Sequence, residues 1–492
     1  MTEARLSTAA QAPTDADAIT RRNSLVIRLL LVSAFVVILN ETIMGVALPQ
    51  LMKDLDITAN AAQWLTTAFM LTMAVVIPIT GFLLQRFDTR PVFITAMSLF
   101  SAGTFIAAVA PGFEVLLVGR VVQATGTAIM MPLLMTTVMT LVPAASRGRT
   151  MGNISIVISV APAIGPTISG IILSVLDWRW MFILVLPIAL IALAFGAARV
   201  RNVTTPRRTH FDAASVILSA FAFGGLVYGL SSLGGIAAGG SPLGAWLPLG
   251  VGVVALTVFV LRQVRLQRAE RALLDLRTFG SRNFTFSIVM FTMSMMAFFG
   301  TIVLLPIYMQ DVLGLDPLQT GLLLLPGGLT MGLLAPFVGR TYDRIGPTVL
   351  LVTGAVIVSS VLWIMTTFQA TTSPFSVLAA HVSLSVGLAL LFTPLFSASL
   401  GSLRPQLYSH GSAIVGTAQQ LAGAAGTALF VTVMAAQAAI LVADGATDVA
   451  ATAEGVRVAF VYGAVISMFA IPAAFMIRRT AEPASGDGPM AH

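Results

Sequence analysis

Two charged side chains, Glu41 and Arg120, fall inside apolar stretches long enough to cross a lipid bilayer. An ionised group at such depth costs from about 2.5 to above 10 kcal/mol unless it is paired or hydrated, so each is a functional candidate. Glu41 stands eight residues before Pro49 in an outward-running stretch, and Arg120 six residues after Glu114 in an inward-running one. At 1.5 Å per helical residue both lie roughly 10 Å below the outer surface. A carboxyl that moves between a dry environment and one beside a guanidinium loads and releases a proton. Arg120 cannot give up its own proton and so gates or tunes. A fixed ion pair tying two helices together is the competing reading.

The elements that hold these residues follow from composition. With 57% hydrophobic residues, 10% charged ones and a mean hydropathy of +0.94, the chain uses lipid as solvent. Fourteen stretches of about 17 to 25 apolar residues are each long enough to span about 30 Å of hydrocarbon as helices. The short alternating segments of a membrane β-barrel are missing, so the expected fold class is all-α integral membrane. Arginines mark one side: Arg86, Arg90, Arg147, Arg149, Arg199, Arg201, Arg207, Arg208, a run from Arg262 to Arg282, Arg340, Arg344, Arg404, Arg478 and Arg479. The other side carries Lys53, Arg179 and Arg457 among several acids. Cationic loops stay cytoplasmic, which predicts a multi-pass protein of the cytoplasmic membrane with both termini inside. The net charge of +7 then meets anionic lipid headgroups, not nucleic acid.

Residues 1–24 read as an unstructured tail, because they are polar and lead into a span without a cleavage pattern. With no cysteine, disulfides and thiolate metal sites are excluded; with Lys53 as the only lysine, so is a phosphate-binding Gly-Lys-Ser/Thr loop. No metal or cofactor is expected. The nucleophile elbow Gly-x-Ser-x-Gly and the zinc motif His-Glu-x-x-His are also missing, which argues against an enzyme, and no soluble output segment suggests a sensor.

An internal duplication fixes the architecture. Pro78, Gly81 and the turn Arg86, Asp88, Arg90 recur as Pro336, Gly339 and the turn Asp343, Arg344, Gly346, offset by about 258 residues, and Ala47-Leu48-Pro49 recurs as Leu304-Leu305-Pro306 at nearly the same offset. Six helices per half leave two over. The expected organisation is an N-terminal bundle at 25–198, a linker at 199–282 carrying extra spans near 212–232 and 243–262, a C-terminal bundle at 283–478, and a tail at 479–492.

These motifs resemble the fourteen-helix drug:proton antiporters of the major facilitator superfamily over about residues 25–478. Leu39-Asn40-Glu41-Thr42-Ile43 with Val46-Ala47-Leu48-Pro49 is similar to the family's first-helix signature. Arg120 with Gln123 and Gly126 resembles its fourth-helix signature, and Pro162, Gly165, Pro166 and Gly170 resemble the fifth-helix antiporter motif. Gly81, Arg86, Asp88 and Arg90 stand in the first-half loop motif, and Gly339, Asp343, Arg344 and Gly346 in its second-half counterpart. Asn40 replaces the usual aspartate, with the carboxylate one residue on at Glu41, as in a subgroup of lincomycin-type exporters. One residue turns a side chain by about 100° on a helix. Gln85 replaces the aspartate of the first loop motif and Asp88 its glycine, which puts the first-half latch in doubt.

The resemblance implies a major facilitator fold and a proton-coupled exporter of hydrophobic or amphipathic small molecules, working without a cofactor and as a monomer. Export of an endogenous lipid or metabolite is the near alternative; a membrane sensor or lipid-modifying enzyme is the distant one. Ser155, Ser159, Pro162, Pro166 and Ser169 share one face of the fifth span, a bendable wall between halves or simple tight packing. Met131, Met135, Met293, Met296 and Phe299 line a soft substrate cavity or pack against lipid and helices, and Gln420 is the polar candidate facing that cavity. His381 is a lone histidine that titrates or is satisfied structurally.

Overall fold

The computed structural model describes residues 15–57, 59–202, 212–236 and 241–479. Among these residues it is helical throughout, and fourteen helices are long and apolar enough to cross a membrane. In chain order they are α1 (Asp15–Asp54), α2 (Ala59–Arg86), α3 (Thr89–Ala108), α4 (Phe113–Leu141), α5 (Arg147–Val175), α6 (Trp180–Arg199), α7 (Ala213–Ile236) and α8 (Pro242–Leu266). The second half adds α9 (Arg282–Ile307), α10 (Pro317–Ile345), α11 (Pro347–Met365), α12 (Pro374–Gly401), α13 (Tyr408–Ala443), α14 (Asp448–Met468) and the short α15 (Ala470–Phe475) that continues it. Helix α1 begins at Asp15, so the end of the stretch expected to be an unstructured tail is helical. Residues 1–14 and 480–492 of the expected tails, and 203–211 and 237–240 of the expected linker, lie outside the described residues.

Helix contacts repeat with an offset of eight elements. α1 packs on α5 and α6 as α9 packs on α13 and α14; α2 packs on α4 as α10 on α12; and α3 packs on α4 and α6 as α11 on α12 and α14. The joints between halves obey the same rule, since α2 meets α13 as α10 meets α5. Two homologous six-helix bundles related in this way are what the sequence duplication implies.

The extra pair sits at one of these joints. α7 packs on both α2 and α13, with Tyr228 stacked on Trp64 at 5.7 Å between ring centres. α8 packs on α7 so closely that a Cβ on Gly252 would lie 2.6 Å from the Leu226 nitrogen, and its other side leaves Leu243, Trp246, Leu247, Val254 and Leu261 exposed. Small residues let membrane helices approach in this way, and the exposed apolar face is suited to lipid. At the arginine-rich end Arg262 donates two 2.9 Å hydrogen bonds to Asp212. Those bonds hold the Asp212 carboxyl down at about 2 against the opposing effect of burial. Beside them the buried Gln263 side chain donates to Ser215 at 2.7 Å and accepts from the Leu273 nitrogen at 2.7 Å. This bolts α7, α8 and the connection into α9 together.

Candidate functional site

Arg120 is 1% exposed and sits where three helices converge on α4. Glycines bring α3 against α4: a Cβ on Gly103 would lie 2.3 Å from the Gln123 nitrogen, and one on Gly126 2.4 Å from the Ala96 oxygen. The guanidinium Nη1 donates to Gln123 Oε1 at 2.6 Å and to Asn40 Oδ1 at 3.4 Å. Gln123 Nε2 donates in turn to Thr104 Oγ1 at 2.8 Å, and that hydroxyl to the Phe100 oxygen at 2.7 Å. The Phe69 ring of α2 lies 4.1 Å from the guanidinium carbon, a cation–π contact. Arg120 Nε has no partner among the described residues. Neutral amides and a ring thus satisfy most of the charge, and they come from α1, α2, α3 and α4.

Glu41 is not the group that touches Arg120. No ion pair joins the two, whereas Arg262 pairs with Asp212, Arg277 with Asp275 and Arg457 with Glu454. Asn40 points to α4, whereas Thr42 points to α5, its hydroxyl donating to the Leu39 oxygen at 3.0 Å and the Ala161 oxygen at 3.4 Å. With about 100° per residue, Glu41 projects at an angle between the two. It is half-buried, and it lies near enough to Arg120 for the two charges to interact across space. The carboxyl is therefore free to change partners without first breaking an ion pair. Arg120→Lys keeps the charge but loses the fork that reaches Asn40 and Gln123 together. Transport by that variant is expected to fall while persisting, with a displaced pH optimum, and a pH–rate profile in vesicles checks it.

The fifth-helix motif divides. Gly165 is the close-approach position, since a Cβ there would meet Thr42 Oγ1 at 2.2 Å. Pro162 is half-buried, and Gly170 is exposed, with no heavy atom within 4 Å of where a Cβ would stand. The Pro166 side chain lies outside the described residues. Ser155 accepts a hydrogen bond from Thr393 of α12 at 2.9 Å, whereas Ser169 donates to Met181 of α6 at 3.3 Å, so the stripe meets the other half at its start and its own half at its end.

The loop motifs join the halves at the arginine-rich end. Asp343 of α10 accepts from the Gly148 nitrogen at 2.8 Å and the Arg149 nitrogen at 2.9 Å, a carboxylate set on the N-terminus of α5. The α10 and α5 backbones touch there: a Cβ on Gly339 would sit 2.2 Å from the Gly148 oxygen. Arg344 and Asp343 accept from Arg479 through their carbonyls at 3.4 Å, and Gly346 ends α10 with a φ of +83°. In the first half Gln85 does bridge to α13, its Nε2 reaching the Gln406 oxygen at 3.2 Å and His410 Nε2 at 2.8 Å. A Cβ on Gly81 would lie 3.3 Å from His410 Nδ1. Asp88 begins α3 without a side-chain cap, and the Arg90 nitrogen donates to Asn202 at 3.2 Å. Arg86 ends α2. An amide thus does by neutral hydrogen bonds what a carboxylate would do with charge.

Deeper contacts continue this closure. Thr136 meets Ser412 at 2.8 Å, and Gln420 donates to Met73 Sδ at 3.4 Å. Gln420 is thus buried in the α2–α13 seam. Arg147, which the sequence shows only as one of many loop charges, donates to the Met139 oxygen at 3.0 Å and to the Tyr408 hydroxyl of the other half at 3.2 Å. Its one distinguishing signal in the sequence is the Arg147-Gly148-Arg149 run. Met135 is buried and Met131 packs against the same core. Met296 and Phe299 lie at the α9–α13 joint, against Gly426 and Gly423, with Met293 also packed on the core. His381 Nε2 sits 3.2 Å from the Leu324 oxygen, and its Nδ1 has no partner among the described residues.

Two membrane bundles that meet at one end, with a buried polar cluster between their helices, are the architecture of a membrane transporter. The chain belongs to the major facilitator superfamily, whose profile, described as Major Facilitator Superfamily, matches residues 30–427. It is a multi-pass cell-membrane transporter and not an enzyme. It is 41% identical over 472 residues to an uncharacterized MFS-type transporter, YcnB, of Bacillus subtilis, covering 94% of this chain and 96% of that one. It is 39% identical over 454 residues to the lincomycin resistance protein LmrB of Listeria monocytogenes, covering 91% and 95%. The crystal structure of the human organic anion transporter MFSD10 shares the fold, with a TM-score of 0.66 at 13% identity over 92% of this chain and 99% of that one.

Proposed function

We propose that the protein is a proton-coupled antiporter that exports hydrophobic or amphipathic small molecules from the cytoplasm by alternating access. The observation that carries this is the division of labour at the buried site. Arg120 is held by Asn40, Gln123 and Phe69, so the carboxyl of Glu41 beside it is left without an ion pair. A carboxyl that must cycle needs that freedom, and a permanently paired one lacks it. The arginine-rich end, where the halves are closed, is the cytoplasmic one by the distribution of cationic loops. The transporter is then closed to the cytoplasm, the state that follows release of cargo outward. Residues 25–198 and 283–478 are the moving bundles, and the pair within 212–262 is a peripheral support. The match to a lincomycin resistance protein supports drug-like cargo.

Expression in an efflux-deficient host tests the reading. Tolerance to lincomycin or to hydrophobic cationic or neutral drugs should rise by several twofold dilution steps and should collapse when a protonophore dissipates the proton gradient. Unchanged tolerance across such a panel, or tolerance indifferent to the gradient, would overturn it.

A further inference from the structure

A cavity of about 1110 Å³ lies at the arginine-rich end where the two halves meet, apart from the buried polar site. Its walls come from three parts of the chain: Gln85 at the end of α2, the connection 269–281 that leads from the extra helix pair into α9, and the turn 402–410 that opens α13. Three arginines line it, Arg271, Arg277 and Arg404, against two acids, Glu270 and Asp275. Asp275 is already committed, because Arg277 Nε donates to its Oδ2 at 2.9 Å. Burial opposes ionisation there, yet the Arg277 hydrogen bonds hold the Asp275 carboxyl below the usual carboxylate range. Arg271 and Arg404 are exposed and make no side-chain hydrogen bond or ion pair among the described residues. Two free guanidinium groups thus face a polar cavity containing one uncommitted carboxylate.

A further feature suits an anion. The 36-residue α13, which carries His410 in its first turn, starts without a side-chain cap, and a helix start favours negative charge. His410 also lines the cavity; it is 4% exposed and meets Gln85 through Nε2 at 2.8 Å, which ties the cavity wall across the two halves. Guanidinium forks match the oxygens of a phosphate in pairs.

We propose that this cavity binds a phosphate-bearing anion whose occupancy holds the two halves together at the arginine-rich end. The walls require it: Gln85 is on one half, Arg404 and His410 are on the other, and the cavity exists only while α2 and α13 meet. A ligand that fits only the closed arrangement shifts the population toward it by its differential affinity. The shared chemistry is the phosphate group, carried either by a soluble compound or by an anionic lipid headgroup. The proposal is independent of what is exported and of proton coupling.

The full-length protein has no cysteine, so labels at Val175→Cys and Leu318→Cys, exposed at the far ends of α5 and α10, report the opening directly. The distance between them is measured in detergent with sodium phosphate against sodium chloride at matched ionic strength. It is measured again in nanodiscs of phosphatidylcholine with and without phosphatidylglycerol. At least one phosphate probe should widen the far-end separation, and Arg271→Gln with Arg404→Gln should weaken the apparent affinity about tenfold or more, as expected for lost charge-assisted hydrogen bonds. The lysine pair, which keeps both charges, should bind between the two. A response in detergent identifies a soluble phosphate; a response only with phosphatidylglycerol identifies a headgroup. No response to either, an equal response to chloride, or an undiminished response in the glutamine pair would overturn the proposal.

Discussion

Glu41→Gln is expected to abolish uphill efflux driven by a pH gradient while leaving the binding of neutral compounds to the purified protein intact. The amide keeps the size and hydrogen-bonding reach of the carboxyl but cannot take up or release a proton. Because Glu41 forms no ion pair with Arg120, its loss leaves the network from Arg120 through Gln123 to Thr104 standing. The defect should therefore appear in coupling and not in stability. Each proton that moves inward contributes about 2.3 kcal/mol per 100 mV of membrane potential, so wild-type export of a neutral cargo should respond to voltage and the variant should not. Drug-induced proton release from detergent-solubilised protein gives the sharpest comparison. Equal release from wild type and Glu41→Gln would place the proton elsewhere, with His381 the next residue to test.

Gly339→Ala is expected to open the arginine-rich end. The added methyl would stand 2.2 Å from the Gly148 oxygen, and that is backbone, so no side chain can rotate away. Forcing such overpacking costs typically about 1–3 kcal/mol, enough to move a two-state equilibrium about tenfold or more when only one state contains the contact. Labels at Val175 and Leu318 should then report a narrower far end, and transport should fall. Asp343→Asn should act in the same direction more gently. An asparagine oxygen can accept from either the Gly148 or the Arg149 nitrogen, but it brings no negative charge to the start of α5. Transport of every substrate should slow by a similar factor, and a change in substrate preference would count against the closing role.

The sequence alone determined what depends on short-range physics. Hydrocarbon thickness and helical rise turn an apolar run into a span, so fourteen spans were legible from stretch length, and the family followed from motifs placed on them. The recurrence of Pro78 and Gly81 as Pro336 and Gly339 announced the repeat that the helix contacts display. The polar site was legible too, as residue types at membrane depth. Which of those residues touch was not. Asn40 and not Glu41 meets Arg120, and Gln85 bridges to α13 despite lacking a charge. Gln420 fills a seam, and arginines from two distant segments, 269–281 and 402–410, converge on one cavity with His410 and Gln85. Each of these depends on the rotation of a helix about its axis and its register against neighbours a hundred or more residues away. Those are set by close packing of glycines such as Gly103, Gly165 and Gly339 against particular neighbours, an outcome of the whole bundle that no local window of sequence contains.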